Sequence, residues 1–351
     1  MLYDEVICDF GNLYRAYRLA HRGKSEDPEV IAFDMDKSNR LHCLLRKLRE
    51  KRWDDVFSYY RFTIRRPKVR IVDALTFEGR IVQHVLCDLI LRPYFEKRLI
   101  ESNCACRVGK GTEYAARLAK EYMVKASQLW EDPHVLKADI RKYFPSIDRG
   151  ILEDVVDYPD ESILELLRYI IRTCPDDNGL PIGNQTSQWF ALYYLDSCDR
   201  EIKERHGIRF YVRYMDDFIA IAETKDELSN LKAHLSDYLM ANRKLEFNGK
   251  TKVSPLRDGF SFLGWRYNMR KGGALITIPH DKLKDRKSKV REMRHLDEKE
   301  KKERLISLRS FLSFGNVNRR MLRWTGTIMA AKLNDMTIRR EKRSCQITRN
   351  L

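Results

Sequence analysis

Phe210-Tyr211-Val212-Arg213-Tyr214-Met215-Asp216-Asp217-Phe218-Ile219-Ala220-Ile221-Ala222 decides the fold. Two runs of aromatic, β-branched and small apolar residues, each of strand length, flank Met215 and two adjacent acids, which predicts a tight β-hairpin with carboxylates at its tip. Stability alone argues against such a tip, because neighbouring like charges repel and turns favour glycine or asparagine. An isolated Asp-Asp pair is more often a solvated turn. Here apolar strands on both sides hold the acids on rigid supports, as a metal site requires.

Upstream, Val135-Leu136-Lys137-Ala138-Asp139-Ile140 reads as a buried strand closing on a third carboxylate, Asp139. If that strand neighbours the hairpin, the carboxylates converge at one end of a sheet. Hard oxygen donors so arranged suit Mg²⁺. Two such ions ~4 Å apart activate an attacking hydroxyl and stabilise the departing oxygen of a phosphoryl transfer. Just downstream, the capping box Thr224-x-x-Glu227 announces a helix with Leu228, Leu231, Leu235 and Leu239 on one face.

Farther out, residues 10 to 53 read as helices, with Leu41, Leu44, Leu45 and Leu48 at helical spacing. Tyr60-Arg61-Phe62-Thr63-Ile64 alternates as a strand, which Pro67 turns into Val69-Arg70-Ile71-Val72. A long helical stretch from about Thr76 to Leu99 follows. From about Asp281 the chain becomes dense in both charge signs, then mixed and apolar from Leu305 to Leu333, predicting a separate basic helical subdomain.

Across 351 residues, 67 Lys and Arg against 51 Asp and Glu give a net charge of +16 and a pI near 9.4. Such an excess points to a polyanionic partner, because phosphate contacts through Lys and Arg release counterions. Ribosomal, chromatin and membrane-surface proteins share this balance, so charge names a class of partner and no activity. The eight cysteines are scattered; the close pair Cys104-Ala105-Cys106 has no second pair or His cluster beside it, so no zinc site is expected there. Reduced thiols, an acidic N-terminus without an apolar signal core and the lack of a ~20-residue apolar span predict a cytoplasmic protein without a membrane partner.

Tyr214-Met215-Asp216-Asp217 resembles the signature of reverse transcriptases, whose palm sheet carries a Tyr-x-Asp-Asp hairpin. Lys137-Ala138-Asp139-Ile140-Arg141-Lys142-Tyr143-Phe144-Pro145-Ser146-Ile147-Asp148 resembles the motif that precedes it. The resemblance implies that Asp139, Asp216 and Asp217 are catalytic and, with Ile140, bind two Mg²⁺, for which Mn²⁺ substitutes. Phe144 would face the sugar of the incoming nucleotide and exclude a 2′-OH, although an ordinary core Phe is the alternative. Arg61-Phe62-Thr63-Ile64-Arg65-Arg66-Pro67-Lys68-Val69-Arg70 resembles the fingers hairpin, where Lys68 and Arg70 would clamp the triphosphate. Departing pyrophosphate gathers negative charge that fixed cations stabilise. Cys106-Arg107-Val108-Gly109-Lys110-Gly111-Thr112 resembles the turn that supplies template contacts through Arg107 and Lys110. Phe262-Leu263-Gly264-Trp265 resembles the primer grip, with Tyr214 and Met215 also beside template or primer. Lys250 stands where a basic residue often assists the leaving group, or is a surface lysine.

The resemblance covers roughly residues 55 to 270. It implies an α+β right-hand polymerase: fingers over 1–125 with a β-hairpin at about 59–72, a palm with an antiparallel sheet over 126–270, a finger insertion at about 151–188, and a helical basic thumb over 271–351. Template RNA, the cDNA primer or product and dNTPs would be its partners. Gly179-Leu180-Pro181-Ile182-Gly183-Asn184-Gln185-Thr186-Ser187-Gln188 matches the motif that supports the templating base and the incoming nucleotide, through Gly183 and Gln188. Many bacterial lineages carry Gln where this chain has Ile182, and Pro where it has Gln188. The variant looks like the enzymes of diversity-generating retroelements, which misincorporate opposite template adenine and work with a small basic accessory protein. Phe144-Pro145-Ser146-Ile147-Asp148-Arg149 and Ile81-Val82-Gln83-His84 also resemble that group. Replacing a polar Gln by Ile182 removes a hydrogen-bonding group near the nascent pair, which loosens discrimination. An intron-encoded or phage-defence reverse transcriptase, and an RNA-binding protein that keeps the fold without catalysis, stay open as alternatives; the three intact acids weigh against the last.

Overall fold

The structure is a computed structural model and describes residues 2–65, 69–176, 178–270 and 273–279. Lys68 and the stretch read as a helical thumb, from His280 onward, lie outside the described residues.

The N-terminal helices Phe10–His21, Pro28–Asp34 and Lys37–Arg49 start where short acids can cap them. Asp9 accepts from the Asn12 amide at 2.6 Å, and Asp27 from Glu29 at 3.1 Å with Pro28 in the first turn. Leu41, Leu44, Leu45 and Leu48 are buried on one side, as their spacing predicts. Strands β1 (Tyr59–Ile64) and β2 (Arg70–Leu75) form an antiparallel hairpin with Thr63 opposite Ile71. Beyond it the helix Phe77–Val85 continues through a π-helical segment, Leu86–Leu91, into Arg92–Glu96.

The main sheet is four-stranded and antiparallel. Its strands are β3 (His134–Asp139), β4 (Phe210–Tyr214), β5 (Asp217–Ala222) and β6 (Lys252–Pro255), in the spatial order β4-β5-β3-β6. Alternation sends Val135, Val212, Ile219 and Ile221 into one core and Leu136, Ala138, Tyr211, Phe218 and Ala220 into another. Helices Gln185–Tyr194 and Lys225–Arg243 contribute to the latter core; Thr112–Leu129 and a second sheet contribute to the former. Thr224 caps Lys225–Arg243 by accepting from the Glu227 amide at 3.2 Å, and Leu228, Leu231, Leu235 and Leu239 are fully buried. Burying each such leucine stabilises by about 1.5–3 kcal/mol.

The second sheet is β7 (Phe260–Phe262), β8 (Trp265–Arg270) and β9 (Gly273–Thr277). β9 pairs along β8 from Arg266↔Thr277 to Arg270↔Gly273, so sheet structure continues past residue 270, where the sequence reading begins a helical thumb. The fold is α+β, with helices and antiparallel sheets in separate layers.

Candidate active site

The β4–β5 hairpin is tighter than its sequence predicts. Tyr214 pairs with Asp217, so the turn is only Met215–Asp216, and Asp217 is the first residue of β5 rather than part of the tip. Met215 has φ +56°, a value that hairpin turns usually reserve for glycine. Asp217 is also the register partner of Asp139 on β3, and Ile140 donates its amide to the Asp216 carbonyl at 3.3 Å. The sheet therefore brings all three acids to one edge of two adjoining strands.

Three supports that the sequence reading did not assign hold this edge. Asn248 donates its amide to the Asp139 carbonyl at 2.7 Å and its Nδ2 to Asp139 Oδ2 at 3.1 Å. Thr251 Oγ1 accepts from the Asp139 amide at 3.3 Å. Lys137, two residues before Asp139 and on the same face, bonds the Asp217 carboxylate and lies 5.9 Å from the centroid of the Phe262 ring. The turn-forming Asn248-Gly249 pair was the visible signal; its partner was not.

A fourth missed group lies beneath the hairpin. Arg213 is fully buried, and its Nε and Nη2 bond Asp199 at 2.6 and 2.5 Å. Nη1 donates to the Met215 carbonyl at 2.9 Å, clamping the strained turn from below. Nη2 also reaches the Leu192 carbonyl, and Tyr211 donates to Asp199 at 2.6 Å. Burial opposes the Arg213 charge, but the Asp199 carboxylate outweighs it and holds the guanidinium firmly ionised.

Burial raises the Asp216 carboxyl above the usual range, and Asp139 adds repulsion. The Asp217 carboxyl is pushed up to about 6 by burial, against the pull of Lys137. No salt bridge or side-chain hydrogen bond reaches the Asp216 carboxylate among the described residues. Half-buried carboxylates that repel one another and lack a full set of counter-charges are a donor set that fits hard divalent cations.

The other expected residues have unequal surroundings. Lys250 is exposed on the same turn as Asn248, and its amide donates to Asn248 Oδ1 at 3.2 Å. Leu263 and Gly264, with φ +49° and +85°, form the two-residue turn between buried Phe262 and Trp265, so this segment is a β-hairpin packed near Lys137. Tyr214 and Met215 are half-buried at the hairpin tip. Phe144 is half-buried in the short helix Tyr143–Ser146, and its carbonyl accepts from the Leu180 amide at 2.9 Å. Gly183, with φ +115°, sits so close to β2 that a Cβ there would lie 2.8 Å from Val72 Cγ1. Gln83 reaches across from its helix to Thr186 Oγ1 and the Gln185 amide, fixing the start of the Gln185–Tyr194 helix. Gln188 is exposed and accepts from the Cys106 thiol at 3.0 Å, which joins the two motif turns. Arg70 is exposed on β2 opposite Ile64.

Arg107 and Lys110 both bond to groups nearby in sequence. Arg107 donates to the carbonyls of Ile100, Asn103 and Glu96 at 2.7, 3.0 and 3.3 Å, so it braces its own loop. Lys110 is likewise occupied by the Glu101 carboxylate at 2.9 Å and the Glu101 carbonyl.

Residues 64–267 match the family described as reverse transcriptase (RNA-dependent DNA polymerase), and the chain belongs to that family. It is similar to Protein YkfC of Escherichia coli strain K12, 23% identical over 266 residues, covering 62% of this chain and 69% of that protein. It also matches Retron Ec48 reverse transcriptase of Escherichia coli, 23% identical over 196 residues, covering 53% of this chain and 44% of the relative. Among solved structures it is similar to telomerase from Candida albicans (TM-score 0.48, 12% identity, 66% of this chain and 48% of that one). Telomerase from Candida tropicalis without its C-terminal domain also matches (TM-score 0.48, 15% identity, 64% and 55%). No helix among the described residues is long and apolar enough to cross a membrane.

Proposed function

We propose that this chain is an RNA-directed DNA polymerase that copies a template RNA into cDNA within a diversity-generating retroelement. The observation that carries the polymerase reading is the register of Asp139 against Asp217, with Asp216 in the adjoining two-residue turn. Asp139, Asp216, Asp217 and the Ile140 carbonyl would hold two Mg²⁺, with Mn²⁺ as a substitute. Such ions, when bound, supply Lewis acidity and neutralise charge on the reacting phosphate.

The chain's residues then divide the remaining work. The primer 3′-OH attacks the α-phosphorus of a dNTP and gives up its proton to solvent as the new P–O bond forms and the bond to pyrophosphate breaks. Arg70 and Lys68 neutralise the triphosphate, and Lys250 delivers a proton to the leaving group. Phe144 walls off the 2′ position of the sugar. Gly183 and Gln188 back the nascent pair, while Tyr214, Met215 and the Phe262–Gly264 turn seat the primer. The partners are template RNA, cDNA, dNTPs and a small basic accessory protein, in the cytoplasm. Ile182 and Gln188 support the mutagenic subtype; the likeness to Retron Ec48 reverse transcriptase favours a second reading, a retron or defence enzyme with the same chemistry.

Primer extension on an RNA template with Mg²⁺ and dNTPs, with the cDNA sequenced, tests both. Extension with errors concentrated opposite adenine is expected. Accurate extension would favour the second reading. No extension on cognate RNA supplied with the accessory protein would overturn the polymerase assignment.

A further inference from the structure

Away from the polymerase edge, Glu201, His206 and His234 gather where the segment before β4 meets the helix after β5. Glu201 opens the π-helical turn Glu201–Arg205, His206 follows it, and His234 belongs to the helix Lys225–Arg243. The His206 amide donates to the Glu201 carbonyl at 3.0 Å, so the backbone already folds these two residues together. His234 Nε2 lies 2.9 Å from Glu201 Oε2, and the two imidazole rings have centroids 4.6 Å apart. One donor atom from each of the three residues falls within 4.8 Å of the others. His206 Nε2 is buried and has no hydrogen-bond partner in the protein. Arg205 Nη1 also reaches Glu201 Oε2, at 3.2 Å.

We propose that Glu201, His206 and His234 bind a borderline transition-metal dication, Zn²⁺ foremost, which staples the segment before β4 to the helix after β5. Two imidazoles and one carboxylate form a set of three protein ligands that zinc uses with a fourth position left for water. With metal–ligand bonds of about 2.0–2.2 Å, tetrahedral donors stand roughly 3.3–3.5 Å apart, a spacing these side chains reach by small rotations. The donor set also discriminates. Imidazole nitrogen suits zinc, copper or nickel, whereas Mg²⁺ takes oxygen, so this site and the polymerase edge select different ions. A bound dication would replace the compensation that Arg205 and His234 give Glu201, and it would satisfy the orphaned His206 nitrogen. Between His206 and His234 runs the β4–β5 hairpin, so the staple would close a loop around the strands that carry Asp216 and Asp217.

The full-length protein, stripped with a chelator and freed of Mg²⁺, is titrated with Zn²⁺ alone and then with Co²⁺ alone. Expected is one Zn²⁺ equivalent whose affinity falls at least about tenfold in His206→Gln and in His234→Gln. Asp216→Asn should keep that equivalent. Wild-type Co²⁺ protein should show the visible absorption bands of a low-coordinate, imidazole-bound ion. Unchanged Zn²⁺ affinity in both histidine variants, loss of the equivalent in Asp216→Asn instead, or no uptake by wild type at about micromolar metal would overturn the site. If the histidine variants do not fold, the wild-type Co²⁺ spectrum decides: octahedral, weakly coloured Co²⁺ overturns it.

Discussion

Asp216 and Asp217 are neighbours in sequence with different surroundings: Lys137 bonds Asp217, whereas no salt bridge or side-chain hydrogen bond reaches Asp216 among the described residues. On the proposed mechanism, Asp216→Asn removes a charge that a divalent cation needs and leaves the fold's shape intact. Primer extension should fall by on the order of a thousandfold, while RNA binding by gel shift stays within about twofold. Undiminished extension would sink the assignment of the acids. Arg213 carries a different burden. Its guanidinium pairs with buried Asp199 and holds the Met215 carbonyl, where φ is +56°. Arg213→Met strands the Asp199 carboxylate without its partner, so urea unfolding should report a loss of about 3–5 kcal/mol. A loss under about 1 kcal/mol would mean that Asp199 finds other partners.

The turn that leads into the Gln185–Tyr194 helix leaves little room for a larger residue. Gly183 combines φ +115° with a Cβ position 2.8 Å from Val72 Cγ1, so Gly183→Ala must push against β2. We expect about 1–3 kcal/mol of destabilisation, read by chemical denaturation, and a raised KM for dNTP in extension assays. A neutral result in both would show that β2 yields freely. On the proposed function, the neighbouring Ile182 bears on fidelity through what it lacks. If residue 182 stands beside the nascent pair as proposed, Ile182→Gln supplies a hydrogen-bonding amide there and should lower misincorporation opposite template adenine in sequenced cDNA. An unchanged error spectrum would remove the physical link between Ile182 and fidelity.

Over the whole molecule, the excess of 67 basic over 51 acidic residues sets how the chain meets a polyanion. Raising salt from about 50 to 200 mM should weaken RNA binding roughly a thousandfold if six or so phosphates are contacted. A flat log–log plot of affinity against salt would mean that the surplus charge is spent inside the protein. Arg107, Lys110 and Arg213 show that part of it is: all three are committed to carbonyls or carboxylates of the chain itself. Net charge therefore overstates the cations free to meet phosphate, and the salt slope measures the remainder.

Local patterns were legible from the residues alone. Apolar runs around Asp139 and Asp216, the Thr224 cap, the leucine face behind it and the β1–β2 hairpin depend on contacts a few residues apart, which side-chain periodicity and turn chemistry record directly. The family motifs likewise placed the acids at the ends of strands. What only the tertiary structure decided is which groups answer one another across distance: Asp217 as a strand residue facing Asp139, Asn248 on the Asp139 carbonyl, Lys137 on Asp217, and Arg213 turned inward to Asp199. A charged side chain written in a sequence carries no mark of its partner. Its role follows from the dielectric and the donors that folding brings to it, and those come from segments tens to more than a hundred residues away.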